Sequence, residues 1–180
     1  HSDSSAASDV YKRQSYNCKG FFEFGDRDFY CWQEKGHGVV NGRRAIAQSC
    51  DVYFYQIALK TGIERIHNMA KRMGLGEITN VGIPDEKVGI MPNREWKKNT
   101  RGTVWTPGET VIAGIGQGFV LTTPIQLSVM TARLANGKKA VKAKLISEAT
   151  KNTDDFPPLN INSSVLREIQ RSMRSVISNG

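Results

Sequence analysis

Apolar residues recur every three or four positions in four stretches of the chain, and each stretch carries its own start or stop signal. The first is "DVYFYQIALKTG", Asp51 to Gly62. Its pattern predicts a buried helix with Phe54, Ile57 and Ala58 on one side, Lys60 in the last turn and Gly62 just past the end. The second runs through Ile63, Ile66, Ala70 and Met73 and stops at Gly74. The third starts at Thr123-Pro124, a hydroxyl N-cap followed by proline at the first helical position, and runs to about Asn136, before Gly137. The fourth begins at Ser163 or Ser164 and lines up Val165, Ile169, Met173, Val176 and Ile177. A further short helix is expected over Arg43 to Gln48, after the turn signal Asn41-Gly42.

By contrast, "KKAVKAKLI" alternates polar and apolar residues, the period of a strand. Residues 15–42 are aromatic and glycine-rich with no regular period, and are expected to be irregular. Residues 75–121 carry three prolines, many glycines, Trp96 and Trp105, and read as connections and loops. "SEATKNTDDFPPLN" reads as a polar connector. No internal repeat is evident. The expected class is α+β, helix-rich, with too few strands to complete a sheet.

Composition narrows this only a little. An apolar share of 39% with 17 glycines is ordinary for a globular domain. No stretch approaches the roughly 18–20 apolar residues of a membrane span. Residues 1–14, "HSDSSAASDVYKRQ", are small and polar, and Asp9 to Gln14 look like the translation of a sequencing-library adaptor. They are set aside as an adaptor scar or a disordered tail, His1 with them. Residues 15–180 then read as an internal fragment of one domain, cut at both ends. The net charge of +8 raises nucleic acid as a partner, but the basic residues are spread out and no aromatic–basic repeat accompanies them. A solvated basic surface, suited to anionic envelope polymers or headgroups, explains the charge without nucleic acid.

The candidate chemistry gathers around one stretch. Ser49-Cys50-Asp51 is a Ser-x-Asp, and Lys60-Thr61-Gly62 follows eleven residues on. Alone, a Ser-x-Asp is a turn or an N-cap, and a helix-final lysine followed by glycine is a C-cap. The three cysteines and one histidine are spaced Cys18-x12-Cys31-x5-His37-x12-Cys50. Four such ligands suit tetrahedral zinc, with no position left for water. A Cys18–Cys31 disulfide beside a buried Cys50, or three buried thiols, fits the same spacing. His67, inside the second helical stretch, reads as a structural histidine.

In order along the chain, "SCDVYFYQIA", "MGLG", "GIPDEKVGIMPNREWK", "TPGETVIAGIGQGFVLTTPIQLS" and "MTARLANGKKAVKAKLI" resemble the transpeptidase domain of class B penicillin-binding proteins, in its elongation-specific branch. The resemblance implies a partial penicillin-binding-protein or serine-β-lactamase-like fold lacking much of its central sheet. It implies peptidoglycan D,D-transpeptidation through an acyl-serine, with stem peptides, β-lactams and a glycan polymerase as partners. It also implies a periplasmic face of the bacterial inner membrane, with the anchor outside this fragment. Ser49 takes the family's proton-shuttle position and Asp51 the position beside its lysine. "GIGQG", Gly114 to Gly118, is cleft scaffold. Some relatives resemble this chain at a zinc site matching Cys31, His37 and Cys50, with Cys18 less securely aligned. The family's nucleophile motif, Ser-x-x-Lys, does not occur in the sequence. The resemblance puts the family's Lys-Thr-Gly on a strand far downstream, so Lys60-Thr61-Gly62 is expected to be a chance match. A penicillin-recognising hydrolase and a non-catalytic zinc-stabilised module or pseudoenzyme are the rival readings.

Overall fold

The structure, a computed structural model, describes residues 14–137, 139–144 and 156–179. Thirteen of the fourteen residues set aside as a scar, and most of the polar connector, lie outside them. The chain divides into two compact units. The first comprises His1–Ile63, Trp105–Gly118 and Asn162–Gly180; the second comprises Glu64–Val104 and Phe119–Ile161.

In the first unit, residues 15–42 are not irregular. They form four strands: β1 (Ser15–Cys18), β2 (Phe21–Phe24), β3 (Arg27–Tyr30) and β4 (Gly38–Asn41). β1 pairs antiparallel with β4, and the β2–β3 hairpin is inserted between them in sequence. Each strand is four residues long, too short for alternation to stand out from sequence. The chain then enters α1 (Gly42–Ala47), with the Asn41 side chain accepting from the Arg44 amide, and α2 (Asp51–Thr61). α2 ends as expected at Gly62, whose amide donates to the Ala58 carbonyl at 2.8 Å. Its buried face is Val52, Tyr53, Tyr55 and Ala58, whereas Phe54 and Ile57 are half-buried. The aromatic rings of β1–β3 account for that rotation. Tyr16 packs edge-on to Tyr53 at 5.4 Å, and Phe22 and Phe29 flank Tyr55 at 6.4 and 5.7 Å.

Helix α5 (Pro107–Ala113) was hidden in the stretch expected to be loop. A capping box starts it: Glu109 accepts from the Thr106 amide at 2.7 Å. α5 lies against α2 at Gly114, where an added Cβ would sit 2.3 Å from the Ala58 Cβ. The GIGQG segment therefore needs a glycine for packing. α7 (Ser163–Asn179) packs on α1, joined by Arg43–Glu168 at 3.2 Å. Only part of its expected stripe is covered. Leu166 is buried and Val165 and Ile169 half-buried, but Met173, Val176 and Ile177 are exposed.

In the second unit, α3 (Ile63–Arg72, its first residue in the first unit) and α6 (Pro124–Asn136) match the pattern. Thr123 and Gln126 form a second capping box. α4 (Arg94–Arg101), capped by Asn93, is a further helix in the expected loop region. The expected strand at residues 138–146 is reduced to a bridge, Lys139 to Pro158, over its described residues. Proline has no amide hydrogen, so the ladder cannot continue through it.

The second unit is held by polar side chains reaching backbone. Gln126 is fully buried, and its amide nitrogen donates to the carbonyls of Glu77 and Val88 at 2.7 and 2.8 Å. Its carbonyl oxygen accepts from the Gly76 and Thr123 amides at 3.4 and 3.3 Å. Lys97 reaches the Val104 carbonyl at 2.7 Å. Nδ1 of His67 lies 2.8 Å from the Met91 carbonyl, in keeping with a structural histidine. Glu86 accepts from the Thr79 amide and hydroxyl at 2.6 and 2.5 Å and from the Asn80 amide at 3.0 Å. The Thr79 hydroxyl, first, and these amides hold its carboxyl below the usual range.

Candidate functional site

Ser49 sits where α1 has ended and α2 has not begun. The Cys50 amide turns back to the Ala45 carbonyl at 2.9 Å, which forces Ser49 into the left-handed region at φ +50°. For a residue with a Cβ this costs roughly 1–2 kcal/mol, and glycine is the usual occupant. The geometry leaves the Ser49 side chain exposed. Asp51 follows as the first residue of α2, where the helix dipole favours a carboxylate.

Cys50, between them, points the other way and is fully buried. Together with Cys18 at the end of β1, Cys31 just after β3 and His37 just before β4, it closes a four-residue cluster. All four candidate donor atoms lie within 4.8 Å of one another. Nδ1 of His37 is 3.6 Å from the Cys18 sulfur and 3.5 Å from the Cys31 sulfur. Gly36 permits this approach. It has φ +76°, and a Cβ there would lie 2.1 Å from the Cys18 carbonyl oxygen. The cysteines belong to the apolar core with Val40, Ala45, Val52, Tyr53, Tyr55 and Val111.

That burial pushes the Cys50 thiol up to about 12, with the Cys18 and Cys31 sulfurs adding to the effect. Cys31 is raised for the same main reason. Tyr55 is also pushed up to about 12, by burial first and then by the charge of Asp51. Its hydroxyl stays protonated and donates to the Tyr30 carbonyl at 2.9 Å. The three cysteines are free. Three buried soft sulfurs and one half-buried imidazole converging form a donor set that can hold a metal ion. No Cys18–Cys31 disulfide is formed.

The sequence reading missed Trp32. Its backbone amide donates to Asp51 Oδ2 at 3.0 Å, and its indole N–H donates to the carbonyls of Ser49 and Gln48 at 2.9 and 3.1 Å. Its ring lies 5.3 Å from that of His37, at 70°. Trp32, His37, Gln48, Ser49 and Val176 line a cleft of about 470 Å³ beside Ser49. The sequence held one hint: a large aromatic inside the otherwise polar "CWQEKG", next to a candidate ligand.

Lys60-Thr61-Gly62 is at a helix end, not on a strand. The Lys60 ammonium lies 4.9 Å above the Tyr16 ring, and Gly62 has φ +78°.

Residues 6–180 match the penicillin-binding protein transpeptidase domain family. The chain belongs to that family. Among curated relatives of this penicillin-binding-protein domain, the peptidoglycan D,D-transpeptidase MrdA of Acinetobacter baumannii is 44% identical over 119 residues. That alignment covers 65% of this chain and 18% of the relative. The chain thus spans about a fifth of the length of the curated relatives it matches. Among solved structures, penicillin-binding protein PBP2 of Helicobacter pylori in complex with MreC superposes with a TM-score of 0.82 at 33% identity. That match covers 93% of this chain and 31% of PBP2. PBP2 of Pseudomonas aeruginosa in complex with WCK 5153 gives 0.80 at 35% identity, over 91% of this chain and 37% of that one. The fold is that of a transpeptidase-domain fragment, as the α+β reading expected.

Proposed function

We propose that the chain is part of a peptidoglycan D,D-transpeptidase of cell-wall elongation that works through an acyl-serine. The observation that carries this reading is an exposed Ser49 and a half-buried Asp51 on one turn, in a chain matching the transpeptidase family over residues 6–180. In this reading a serine hydroxyl elsewhere in the whole protein attacks a stem-peptide carbonyl. The bond to the terminal D-alanine breaks, and its nitrogen takes up a proton. The amine of a second stem peptide then attacks the ester, loses a proton and releases the serine. A hydroxyl at position 49 can give a proton and take one in the same step. Asp51 accepts only, so with Oδ2 bonded to the Trp32 amide, its other oxygen is suited to a lysine ammonium. β-Lactams would acylate the same serine.

Zinc is the metal the donor set favours. Zn–S near 2.3 Å and Zn–N near 2.05 Å at a tetrahedral angle put sulfur and nitrogen about 3.6 Å apart, against 3.5 and 3.6 Å here. With Cys18, Cys31, His37 and Cys50 as ligands no position remains for water, so its role is structural. When bound it would supply the positive charge that makes these buried thiols thiolates, releasing protons. The whole protein would sit at the periplasmic face of the inner membrane, with its anchor outside these residues. A glycan polymerase and an MreC-like scaffold would be its partners.

Fluorescent penicillin labelling of the whole protein tests the reading. Labelling should occur, and Ser49→Ala should slow it by about 10²-fold, the lower range for loss of a general acid–base group. Elemental analysis should find one zinc per chain. An intact protein that binds zinc but takes no label would instead favour the non-catalytic module.

A further inference from the structure

We infer that Trp32 is a positioning residue, a clamp that works beside Cys50 to tie the Ser-x-Asp turn to the Cys/His cluster. The inference rests on the transpeptidase reading for its link to activity, but the clamp itself is a matter of geometry. One residue bonds both ends of the motif: its amide holds the Asp51 carboxylate and its indole N–H holds the Ser49 carbonyl. The same indole N–H also reaches the Gln48 carbonyl, so the last turn of α1 is included.

Trp32 is itself held from the cluster side. It directly follows Cys31, and its ring stands edge-to-face with His37. Nε2 of His37 is buried with no oxygen or nitrogen partner. With Nδ1 directed at the sulfurs, the imidazole rests edge-on against the indole ring. The indole ring is otherwise poorly buried, at 62% exposed. A tryptophan so exposed gains little from the hydrophobic effect here, so its hydrogen bonds explain its position better than burial does.

The strain at Ser49 makes the clamp matter. A strained residue keeps its conformation only while its surroundings over-determine it, so losing the bond to its carbonyl leaves Ser49 held by the Cys50–Ala45 bond with less support. Removing the indole donor should therefore loosen Ser49 without disturbing the cluster, and emptying the cluster should loosen Ser49 more in the wild type than without the indole, since Cys50 ties the turn to the cluster in both.

The test uses the whole protein, wild type and Trp32→Phe, each zinc-loaded and chelated. Phe keeps the backbone amide and an aromatic ring but loses the indole N–H. Amide exchange at Ser49 and Cys50 should rise at least tenfold in loaded Trp32→Phe, while the cobalt-substituted absorption spectrum stays that of the wild type. Chelation should raise exchange at least tenfold in the wild type and by a clearly smaller factor in Trp32→Phe, where the path through the indole is already gone and only the path through Cys50 remains. Penicillin acylation should fall about tenfold in loaded Trp32→Phe. Unchanged exchange, or fully additive effects of chelation and substitution, would overturn the clamp. Trp32→Ala serves as control: its cobalt spectrum should shift, since the ring against His37 is gone. A wild type that takes no penicillin would sink the transpeptidase reading alone, because exchange still decides the clamp.

Discussion

The two units of the chain solve one problem in different ways. Both must hold long non-helical segments in fixed positions. The first does so with sulfur, imidazole and aromatic rings, converging from β1, the β3–β4 loop and the start of α2 on one point. The second does so with single polar side chains, each reaching into a loop to satisfy backbone: Gln126, Lys97, His67 and Glu86. The first arrangement concentrates the hold in four residues. The second spreads it over independent hydrogen bonds. The candidate catalytic turn is built on the concentrated one.

Substitutions can break this contrast. The largest effect is expected at Cys50. Cys50→Ser should abolish stoichiometric metal binding and lower stability by roughly 4 kcal/mol, in the range for losing a metal ligand or disulfide. Calorimetry with elemental analysis checks it, and an unchanged Tm with metal retained would remove the cluster from its central place. Next is Gln126→Leu, which strands the carbonyls of Glu77 and Val88 in the interior. It should cost about 2–4 kcal/mol, read by urea denaturation, with amide exchange rising around residues 76–88 and the cobalt spectrum unchanged.

The smallest effect is at Glu86. Its carboxyl is held below the usual range, so the stability it contributes is present above about pH 4.3 and is lost as pH falls through its lowered value in the folded protein. Glu86→Gln should lower Tm slightly at neutral pH, match the wild type at the acid end of that window, and so flatten the pH dependence of Tm between the two. An unaltered acid slope would mean that the Thr79–Asn80 loop is held by something other than this carboxylate.

The sequence was most legible where periodicity and capping agreed. α2, α3 and α6 carry apolar spacing plus Gly62, Gly74 or Thr123-Pro124 at their ends, and each formed as expected. α4 went unread because "REWKKNTR" has no apolar stripe. Its signals were its caps, Asn93 and Gly102, and its buried residue is a lysine. α5 carried the same Thr-Pro start that marked α6, in Thr106 and Pro107, with Glu109 completing its capping box, but glycine surroundings masked it. The strands failed for the opposite reason, since four residues make only two repeats of the pleat. At the site, the ligand spacing and the Ser-x-Asp were visible because side-chain type carries their chemistry. Trp32 was not, because it acts on backbone carbonyls and a carboxylate brought close only by folding.

The left-handed backbone at Ser49 also bears on engineering. Glycine would relieve that strain and delete the hydroxyl in one substitution. A library sorted for heat resistance should thus drift toward glycine at position 49, while one sorted for penicillin capture should keep serine. That single codon would report which of the two pressures a population had experienced.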